Sequence, residues 1–293
     1  MSEPVIAVVG AGAVGGLIGI LLHRSGTEVV AVARPETARQ INSDGLTLHS
    51  PHFGDQLGRL TAVTEIPDGA RVIVATKAYA LPGIVDALRR AQPAEVVSLL
   101  NGIEHMDVLR RAAPDARVAG ATIAVESTRL SPTVIDHRSP FLRLTVPAAA
   151  ESTGVIAAWN RAGLDVTVGG TEAEVLWSKL RFLAPMALLT SYWRLPIGAA
   201  RERDAALTTA VLAEVAQIAT RDGVPSDPAQ LARAIHALPA GMRSSLQNDL
   251  DAGAETELDA IGGALLRRAR HHDVPAPRVQ ELLDDLGSHG AAA

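Results

Sequence analysis

The 293-residue sequence contains no cysteine. This absence excludes disulfides, thiol nucleophiles and cysteine-ligated zinc or iron–sulfur centres. Excess positive charge is also missing, because the formal net charge is −5, which argues against electrostatic binding of nucleic acid. Lysine is scarce: of 27 basic residues, only Lys77 and Lys179 are lysines. With 47% hydrophobic and 20% charged residues, the chain can nevertheless build a folded core.

Charge is absent from residues 5–22, a run long enough to resemble a membrane span. Five glycines interrupt this run, and Val5–Val9 is a β-branched stretch that stops at Gly10. We therefore do not interpret it as a membrane helix. The start of the chain, Met-Ser-Glu-Pro, lacks the basic residues of a signal peptide. We expect a soluble, cytoplasmic protein with no membrane partner.

Short apolar runs alternate with helical patterns in the first half of the chain, which indicates parallel βαβ units. The predicted strands are Val5–Val9, Val29–Ala33, Val72–Ala75, Val96–Leu100, Val118–Ala121 and Val166–Val168. The predicted helices between them are Val14–Arg24, Leu81–Ala91, His105–Ala112 and Ser152–Ala162. Thr47–Thr64 and Thr133–Val146 are interpreted as short extended insertions.

Helical spacing dominates the second half of the chain. The predicted helices are Glu172–Ser191, Asp204–Asp222, Pro228–Ala237, Glu255–His271 and Arg278–Leu286, and Gly287–Ala293 is expected to fray. Gly169-Gly170 marks the change of pattern. We therefore predict two domains: a Rossmann-type dinucleotide-binding α/β domain over residues 1–169 and an all-α domain over residues 170–293.

A glycine-rich turn follows the first predicted strand. Gly10, Gly12 and Gly15 fit the pattern G-x-G-x-x-G between a strand and a helix. In this pattern the glycines permit a tight turn, close approach of a pyrophosphate and close packing of the helix on the strand. The helix that begins near Ala13 and Val14 offers unpaired N–H groups to phosphates. The pattern predicts a dinucleotide site, and the alternative is a glycine turn without a ligand.

The residue after the second strand bears on the choice between NAD and NADP. NAD-binding proteins usually place Asp or Glu there to hold the ribose 2′-hydroxyl. This chain has Arg34 at that position and Arg39 a little further on. Because the planar fork of arginine suits a 2′-phosphate, the sequence favours NADP(H). The alternative is that Arg34 is a solvated loop charge.

Lys179 lies in a largely apolar helical stretch of the second half. Apolar surroundings disfavour an ammonium ion and lower its pKa, which suits a proton donor near neutral pH. The alternative is a lysine at the edge of a helix, with its stem on the apolar surface and its ammonium in water. Both interpretations stay open on the sequence alone.

Acidic and hydroxyl side chains cluster further along the second half. Glu257 and Asp259 lie two residues apart in a predicted helix, so one can face a cleft while the other faces solvent. Ser244 and Ser245 begin a polar segment that could donate hydrogen bonds to a carboxylate. The alternative for this segment is a helix start that is capped by serine.

Lys77 and Asn101 each follow a predicted strand of the first half. The carboxyl ends of strands face the ligand crevice in an open α/β sheet, so we expect both side chains to lie where cofactor contacts occur. The alternatives are a solvated loop charge for Lys77 and a plain turn for Asn101-Gly102.

Taken together and in this order, these motifs resemble those of the ketopantoate reductases (2-dehydropantoate 2-reductases). The resemblance covers nearly the whole chain and rests on Gly10–Gly15, Arg34, Thr76-Lys77-Ala78, Asn101-Gly102, Trp177-Ser178-Lys179-Leu180, Ser244-Ser245 and Glu257-Leu258-Asp259. It implies an N-terminal Rossmann domain, a C-terminal helical domain and an NADPH site in the cleft. The implied activity is the reduction of 2-dehydropantoate to pantoate, in pantothenate biosynthesis.

The resemblance also implies roles for individual residues. Lys179 is then the general acid that protonates the carbonyl oxygen as hydride arrives at carbon. Glu257 holds the substrate hydroxyl and helps to orient the lysine, and Ser245 donates to the substrate carboxylate. Asn101 is a contact to both cofactor and substrate. The remaining implied cofactor contacts are Arg34, Lys77 and the glycine loop Gly10, Gly12, Ala13, Val14 and Gly15.

One segment departs from the family pattern. In ketopantoate reductases the helix after the lysine commonly presents asparagines one and two turns on. Leu183 and Ala187 occupy these positions here, with Pro185 between them. We therefore expect a more apolar pocket and a helix that is kinked at Pro185. Because polar contacts strongly discriminate between substrates, the departure concerns the substrate more than the reaction type.

The expected function is thus NADPH-dependent reduction of the carbonyl of a 2-oxo acid, with a small-molecule substrate and without a metal. The apolar helical domain allows a homodimer. One alternative is a reductase of the same fold that acts on another carbonyl, an imine or a hydroxy acid. Another is a non-catalytic NADPH-binding protein, against which the retention of both Lys179 and Glu257 argues.

Overall fold

A computed structural model describes residues 3–290, without the side chains of residues 289 and 290. The chain divides into two compact units, Met1–Leu100 with His105–Val175 and Asn101–Glu104 with Leu176–Ala293. The first is α/β and the described part of the second is helical, which confirms the predicted fold class. The domain boundary that the sequence places after residue 169 stays a prediction.

The described residues contain thirteen strands. In chain order they are β1 (Ile6–Val9), β2 (Val29–Val32), β3 (Leu46–His49), β4 (Gln56–Gly58), β5 (Thr61–Val63), β6 (Arg71–Val74), β7 (Glu95–Ser98), β8 (Arg117–Gly120), β9 (Thr122–Ala124), β10 (Ser127–Ser131), β11 (Val134–His137), β12 (Arg143–Val146) and β13 (Asp165–Val168).

The same residues contain twelve α-helices. They are α1 (Ala13–Arg24), α2 (Pro35–Asp44), α3 (Leu81–Ala91), α4 (His105–Ala112), α5 (Gly154–Arg161), α6 (Glu172–Trp193), α7 (Ile197–Arg203), α8 (Ala205–Arg221), α9 (Pro228–His236), α10 (Ser245–Asp251), α11 (Ala264–His271) and α12 (Pro277–Gly290). Short 3₁₀ turns cover Ala78–Ala80 and Ala148–Ala150, and a π turn, Asp259–Gly263, leads into α11.

The main sheet of the first unit has the strand order β5-β2-β1-β6-β7-β8, and every neighbouring pair is parallel. All four residues of β1 are buried, as expected of a parallel strand that helices cover on both faces. The chain order reverses on either side of β1, so the carboxyl ends of β1 and β6 form the usual place for a ligand. Gly10 follows β1 and Thr76 follows β6 at this edge.

Two smaller sheets complete the first unit, with the orders β10-β11-β3-β4 and β13-β12-β9. They contain most of the extended insertions that the sequence predicted, whereas β5 joins the main sheet. One apolar core includes residues of β1, α1, β3, β11 and α5, so the main sheet and the smaller sheets share their interior.

The structure corrects several details of the predicted helices. The helix expected over Glu255–His271 begins only at Leu258 and Asp259, so Glu257 precedes it. Helix α6 extends two residues beyond the predicted Glu172–Ser191 and includes Pro185, where the expected kink stays a prediction. Residues 287–290 continue α12 rather than fray, and the last three residues of that predicted tail lie outside the described residues.

Two helices, α2 and α7, were not predicted, and a third, α10, was only an alternative for the segment after Ser244. Helices α2, α7 and α10 are short, with ten, seven and seven residues, and two of them present few apolar positions. In α2 only Ala38 and Ile41 are buried, which leaves too weak an apolar period to detect. Across residues 3–290, no helix has both the length and the apolar character that crossing a bilayer requires.

Candidate active site

The glycine loop of the first unit leaves no room for side chains at two of its positions. Gly10 has a φ of +99°, and a Cβ there would lie 2.8 Å from Cγ2 of Thr76. A Cβ at Gly15 would lie 2.0 Å from the carbonyl oxygen of Gly10. The tight turn and the close packing of α1 on β1 therefore both require glycine.

The third loop glycine, Gly12, is different, because a Cβ there would meet nothing within 4 Å. Gly12 is the N-cap of α1, no side chain caps this helix, and its first turn contains no acidic residue. The N–H groups of the first turn are thus available to an anion. Open space beside an uncapped helix N-terminus suits the pyrophosphate of a dinucleotide.

Thr76 provides a second indication of a ligand at this loop. It lies against Gly10, and its hydroxyl is buried without a hydrogen-bond partner in the described part of the chain. Buried hydroxyls in native proteins nearly always have a partner, so a bound group or a water is expected there. The residues present therefore fit a nicotinamide dinucleotide. The sequence motif contained Thr76, but nothing in the sequence distinguished its buried hydroxyl.

The two predicted basic cofactor contacts also belong to the first unit. Arg34 is exposed and directly precedes α2, whereas Lys77 is partly buried and directly precedes the 3₁₀ turn Ala78–Ala80. Arg39, one turn into α2, is exposed and pairs with Glu36. Contacts of Arg34 and Lys77 with a cofactor stay predictions.

In the second unit, a hydrogen bond joins two predicted site residues that are 156 positions apart in sequence. The side-chain amide of Asn101 donates to Oε2 of Glu257 at 2.9 Å. Glu257 is only 5% exposed, and a buried carboxylate requires such a donor because desolvation disfavours its charge. Asp259, in contrast, has an 81% exposed side chain. The two acids thus differ in exposure, whereas the expectation that one of them faces a cleft stays a prediction.

Lys179 on α6 interacts electrostatically with the same carboxylate. Burial of its amine lowers its pKa from 10.5 to about 8, although the negative charge of Glu257 opposes this effect. The amine therefore changes between its protonated and its neutral form near pH 8, not far above neutral pH. Of the two interpretations open on the sequence, a desolvated lysine describes Lys179 better than one whose ammonium is fully in water.

The serine pair does not act as a unit. Ser244 is buried, and its hydroxyl lies 2.8 Å from that of Thr190 on α6 and accepts from the backbone N–H of Gln247 at 3.0 Å. Ser244 therefore caps α10, the alternative that the sequence left open. Ser245, the first residue of α10, is exposed. Its predicted contact with a substrate stays a prediction.

Leu183 and Ala187 follow Lys179 by one and two turns of α6. The spacing places them near the face of the helix that carries Lys179. Leu183 is partly exposed, whereas Ala187 is fully buried. Leu183 is therefore the apolar side chain of this face that a small molecule beside Lys179 could contact.

Sequence reasoning missed one charged group in this unit. Arg267 on α11 donates from Nε to Oε2 of Glu104 at 2.8 Å and from Nη1 to Oδ1 of Asp259 at 2.7 Å. Glu104 and Arg267 lie 163 positions apart, and no motif links them. The structure therefore adds a cluster of Arg267 with Glu104 and Asp259, which lie three residues after Asn101 and two residues after Glu257.

A parallel dinucleotide-binding sheet with a lysine–carboxylate pair on a helical unit defines a class of nicotinamide-dependent oxidoreductases. Comparison with known proteins gives the family. The model "Ketopantoate reductase PanE/ApbA" matches residues 6–151, and "Ketopantoate reductase PanE/ApbA C terminal" matches residues 173–288. The chain belongs to the ketopantoate reductase PanE/ApbA family, as its motifs predicted. It is accordingly an oxidoreductase that uses a nicotinamide cofactor.

Individual relatives cover nearly the whole chain. The uncharacterized oxidoreductase YkpB of Bacillus subtilis is 27% identical over 97% of this chain and 98% of its own length. The 2-dehydropantoate 2-reductase of Halobacterium salinarum is 28% identical over 95% of this chain and 96% of its own.

Solved structures extend the comparison to the fold. A PanE/ApbA family ketopantoate reductase from Ralstonia eutropha is 28% identical, with a TM-score of 0.88 and 98% of each chain covered. The structure of D-mandelate dehydrogenase with NADH and anilino(oxo)acetate has a TM-score of 0.87 at 21% identity and covers 98% of each chain. This second likeness shows the shared fold alone.

The open space at Gly12 leads to a first prediction. Gly12→Ala should lower the thermal midpoint only slightly, since its Cβ meets no protein atom and alanine is a poorer N-cap than glycine, but should weaken NADPH binding at least ~10-fold by filling the space beside the helix N-terminus. Calorimetric titration and thermal unfolding measure the two effects. Gly83→Ala in α3 is the matched control, because a Cβ is equally unobstructed there. Equal cofactor affinity in the Gly12 variant and the wild type would contradict this role of the loop.

The scarcity of lysine allows a direct test of Lys179. With ¹³C-labelled lysine, NMR should show two side-chain signals, and Lys77→Arg should leave that of Lys179. The titration midpoint of the Lys179 signal should lie near pH 8, because burial lowers its pKa more than the charge of Glu257 raises it. Glu257→Gln should move the midpoint lower, because the negative charge that favours the ammonium is removed. A midpoint near the ordinary lysine value would contradict the desolvated environment.

Proposed function

We propose that the protein catalyses the NADPH-dependent reduction of the carbonyl of a 2-oxo acid to the 2-hydroxy acid, with 2-dehydropantoate to pantoate as the type reaction. The observation that carries this proposal is the amine of Lys179 beside a buried Glu257 that Asn101 holds. Family membership supports the reaction class.

The bound cofactor supplies the hydride. The protein must then supply a proton, and the ammonium of Lys179 donates it to the carbonyl oxygen. A pKa of about 8 suits this step, because proton transfer is most efficient when the pKa of the acid is near the working pH. As the pH rises through about 8, Lys179 loses its proton, so the reduction rate should fall on the alkaline side.

The neighbouring groups orient this acid and the substrate. The carboxylate of Glu257 attracts the ammonium of Lys179 and can accept a hydroxyl of the substrate, while Asn101 fixes one of its oxygens. Ser245, exposed at the first turn of α10, is the proposed donor to the substrate carboxylate. These assignments place an acid, its orienting carboxylate and an anion contact on the second unit.

On the first unit, the glycine loop holds the pyrophosphate of the cofactor in this proposal. Lys77 contributes a compact positive charge near the cofactor. Arg34 receives the 2′-phosphate and makes NADPH preferred over NADH, since its side chain is exposed after β2 where an NAD-binding protein would have an acid.

Leu183 favours a second candidate, a reductase of the same fold that acts on a different carbonyl or an imine. This leucine presents apolar surface one turn after Lys179, where a hydroxylated substrate gains no polar contact. A panel should therefore compare 2-dehydropantoate with 2-oxo acids that carry branched or aromatic side chains and with a cyclic imine. NADPH absorbance follows each reaction. NADPH binding without reduction of any member would indicate a non-catalytic protein.

Substitution of the two lysines tests the proposed acid. Lys179→Arg keeps the positive charge but cannot release a proton in this pH range, so kcat on a confirmed substrate should fall ~10²–10⁴-fold. Lys77→Arg should instead change chiefly the KM for NADPH, because a point charge near a cofactor need not titrate. Steady-state kinetics of both variants measure this difference, and an unchanged kcat in Lys179→Arg would exclude the acid role.

The cofactor preference has its own test. Arg34→Ala should lower NADPH affinity ~10–100-fold, because a charge-assisted hydrogen bond contributes about 1.5–3 kcal/mol. NADH affinity should stay unchanged, since NADH lacks the 2′-phosphate. Arg39→Ala is the control, as this exposed arginine pairs with Glu36. Equal losses for both cofactors, or no loss for NADPH, would show that Arg34 does not read the 2′-phosphate.

A further inference from the structure

Four residues between β7 and α4, here named the Asn101 loop (Asn101–Glu104), group with the second unit although the residues on either side group with the first. Two carry side chains bonded to the second unit. Asn101 donates to Glu257, and Glu104 accepts from Arg267. Asn101, a predicted site residue, therefore belongs to the helical unit, and contacts within this unit hold the loop in its position.

The backbone of the loop packs directly on the π turn Asp259–Gly263. Gly102 has a φ of +89°, and a Cβ at this position would lie 2.5 Å from the carbonyl oxygen of Ala260. The obstructing atom is backbone, so no side-chain rotation could relieve the overlap. This close contact at Gly102 limits the distance between the backbone of the loop and that of the π turn, but it includes no hydrogen bond.

Arg267, on α11 directly after the turn, supplies directional hydrogen bonds. Its guanidinium binds both oxygens of Asp259, at 2.7 and 3.0 Å, and the backbone carbonyl of the same residue at 3.2 Å. It also binds Glu104 through Nε at 2.8 Å and Nη2 at 2.7 Å. One arginine therefore connects the loop and the first residue of the π turn. Lysine could not do so equally, because it lacks the planar fork.

The π turn itself is shaped for this contact. A Cβ at Gly263 would lie 2.3 Å from Oδ1 of Asp259, so glycine leaves the space in which the Asp259 carboxylate meets Arg267. Glu257 lies immediately before the turn, and its carbonyl accepts from Ile261 at 3.0 Å. π turns are rare and often occur at functional sites, and this one begins two residues after Glu257.

We propose that Arg267 is a positioning residue, which binds Glu104 and Asp259 and thereby holds Asn101 on Glu257 and Glu257 beside Lys179. This role rests on the proposed function, in which Lys179 is the acid. Arg267 acts only through these neighbours and is not itself assigned a contact with substrate. The loop–turn arrangement is consequently a condition for the acid–base geometry.

The decisive variant is Arg267→Met, which keeps much of the apolar stem and removes the fork. Amide hydrogen exchange should accelerate in the Asn101 loop and over residues 257–263, and the thermal midpoint should change little. In labelled-lysine NMR, the pKa of Lys179 should shift away from about 8, upwards where a loosened loop admits water to the amine and downwards where the charge of Glu257 moves away from it. On a confirmed substrate, kcat should fall ~10–100-fold while the KM for NADPH is unchanged.

Three further variants give the comparison. Arg270→Met removes an exposed arginine from the same helix and should alter none of the readouts. Arg267→Lys should restore them in part, since an ammonium can bind one carboxylate but not both in this geometry. Glu104→Gln removes the charge on the loop side and leaves the Arg267–Asp259 pair, so it provides the test if Arg267→Met does not fold.

The outcomes separate this proposal from the proposed function. If exchange and the Lys179 midpoint in Arg267→Met match the wild type, or if Arg270→Met produces the same changes, Arg267 does not position the site. If exchange and midpoint change as expected but kcat does not, the loop is anchored without importance for catalysis, and the proposal is overturned. If the wild type reduces no substrate, the proposed function fails, whereas exchange and NMR still decide whether Arg267 holds Asn101 and Glu257.

Discussion

The buried carboxylate of Glu257 is the group on which the site of the second unit depends. A carboxylate that is 5% exposed needs hydrogen-bond donors and positive charge around it, because desolvation of an unpaired charge costs several kcal/mol. Asn101 provides a donor and the ammonium of Lys179 provides charge. Both groups stabilise the carboxylate only if they lie close to Glu257. The Asn101 loop, the residue before the π turn and α6 therefore all contribute to stabilising one buried carboxylate.

The same requirement explains the acidity of Lys179. Burial alone would lower its pKa further, and a neutral amine could not donate a proton. Glu257 alone, in water, would keep the ordinary high pKa and make the ammonium a poor donor near neutral pH. The opposition of the two effects gives the value of about 8. A modest change in hydration or in the distance to Glu257 is enough to move it.

The candidate cofactor site of the first unit depends on the absence of side chains rather than on interactions between them. Gly10 and Gly15 are glycines because protein atoms occupy the space where a Cβ would be, whereas Gly12 is open. That difference separates the glycines that the fold needs from one whose side-chain space is open, the position proposed for the pyrophosphate. It also explains why the glycine spacing is so easily detected in the sequence: backbone geometry tolerates no other residue at Gly10 and Gly15.

Local sequence determined the parts of this protein whose physics is local. The β-branched runs predicted strands β1, β2, β6, β7 and β8, and the glycine spacing predicted the turn after β1. The largely apolar pattern of the second half predicted a long helix that carries Lys179. Boundaries were less certain where polar residues begin a helix. Glu257 lies before the π turn rather than inside a helix, and α10, whose start Ser244 caps, was only an alternative on the sequence.

Only the tertiary structure decided which distant residues meet. The bond between Asn101 and Glu257 and the binding of Glu104 by Arg267 each join residues more than 150 positions apart. Periodicity, propensity and motif spacing describe neighbours along the chain, so they contain no information about such pairs. The sequence by itself determined the cofactor-binding fold and named Lys179 and Glu257. The arrangement that gives Lys179 its acidity comes from packing, because desolvation and charge pairing depend on what surrounds a side chain in space.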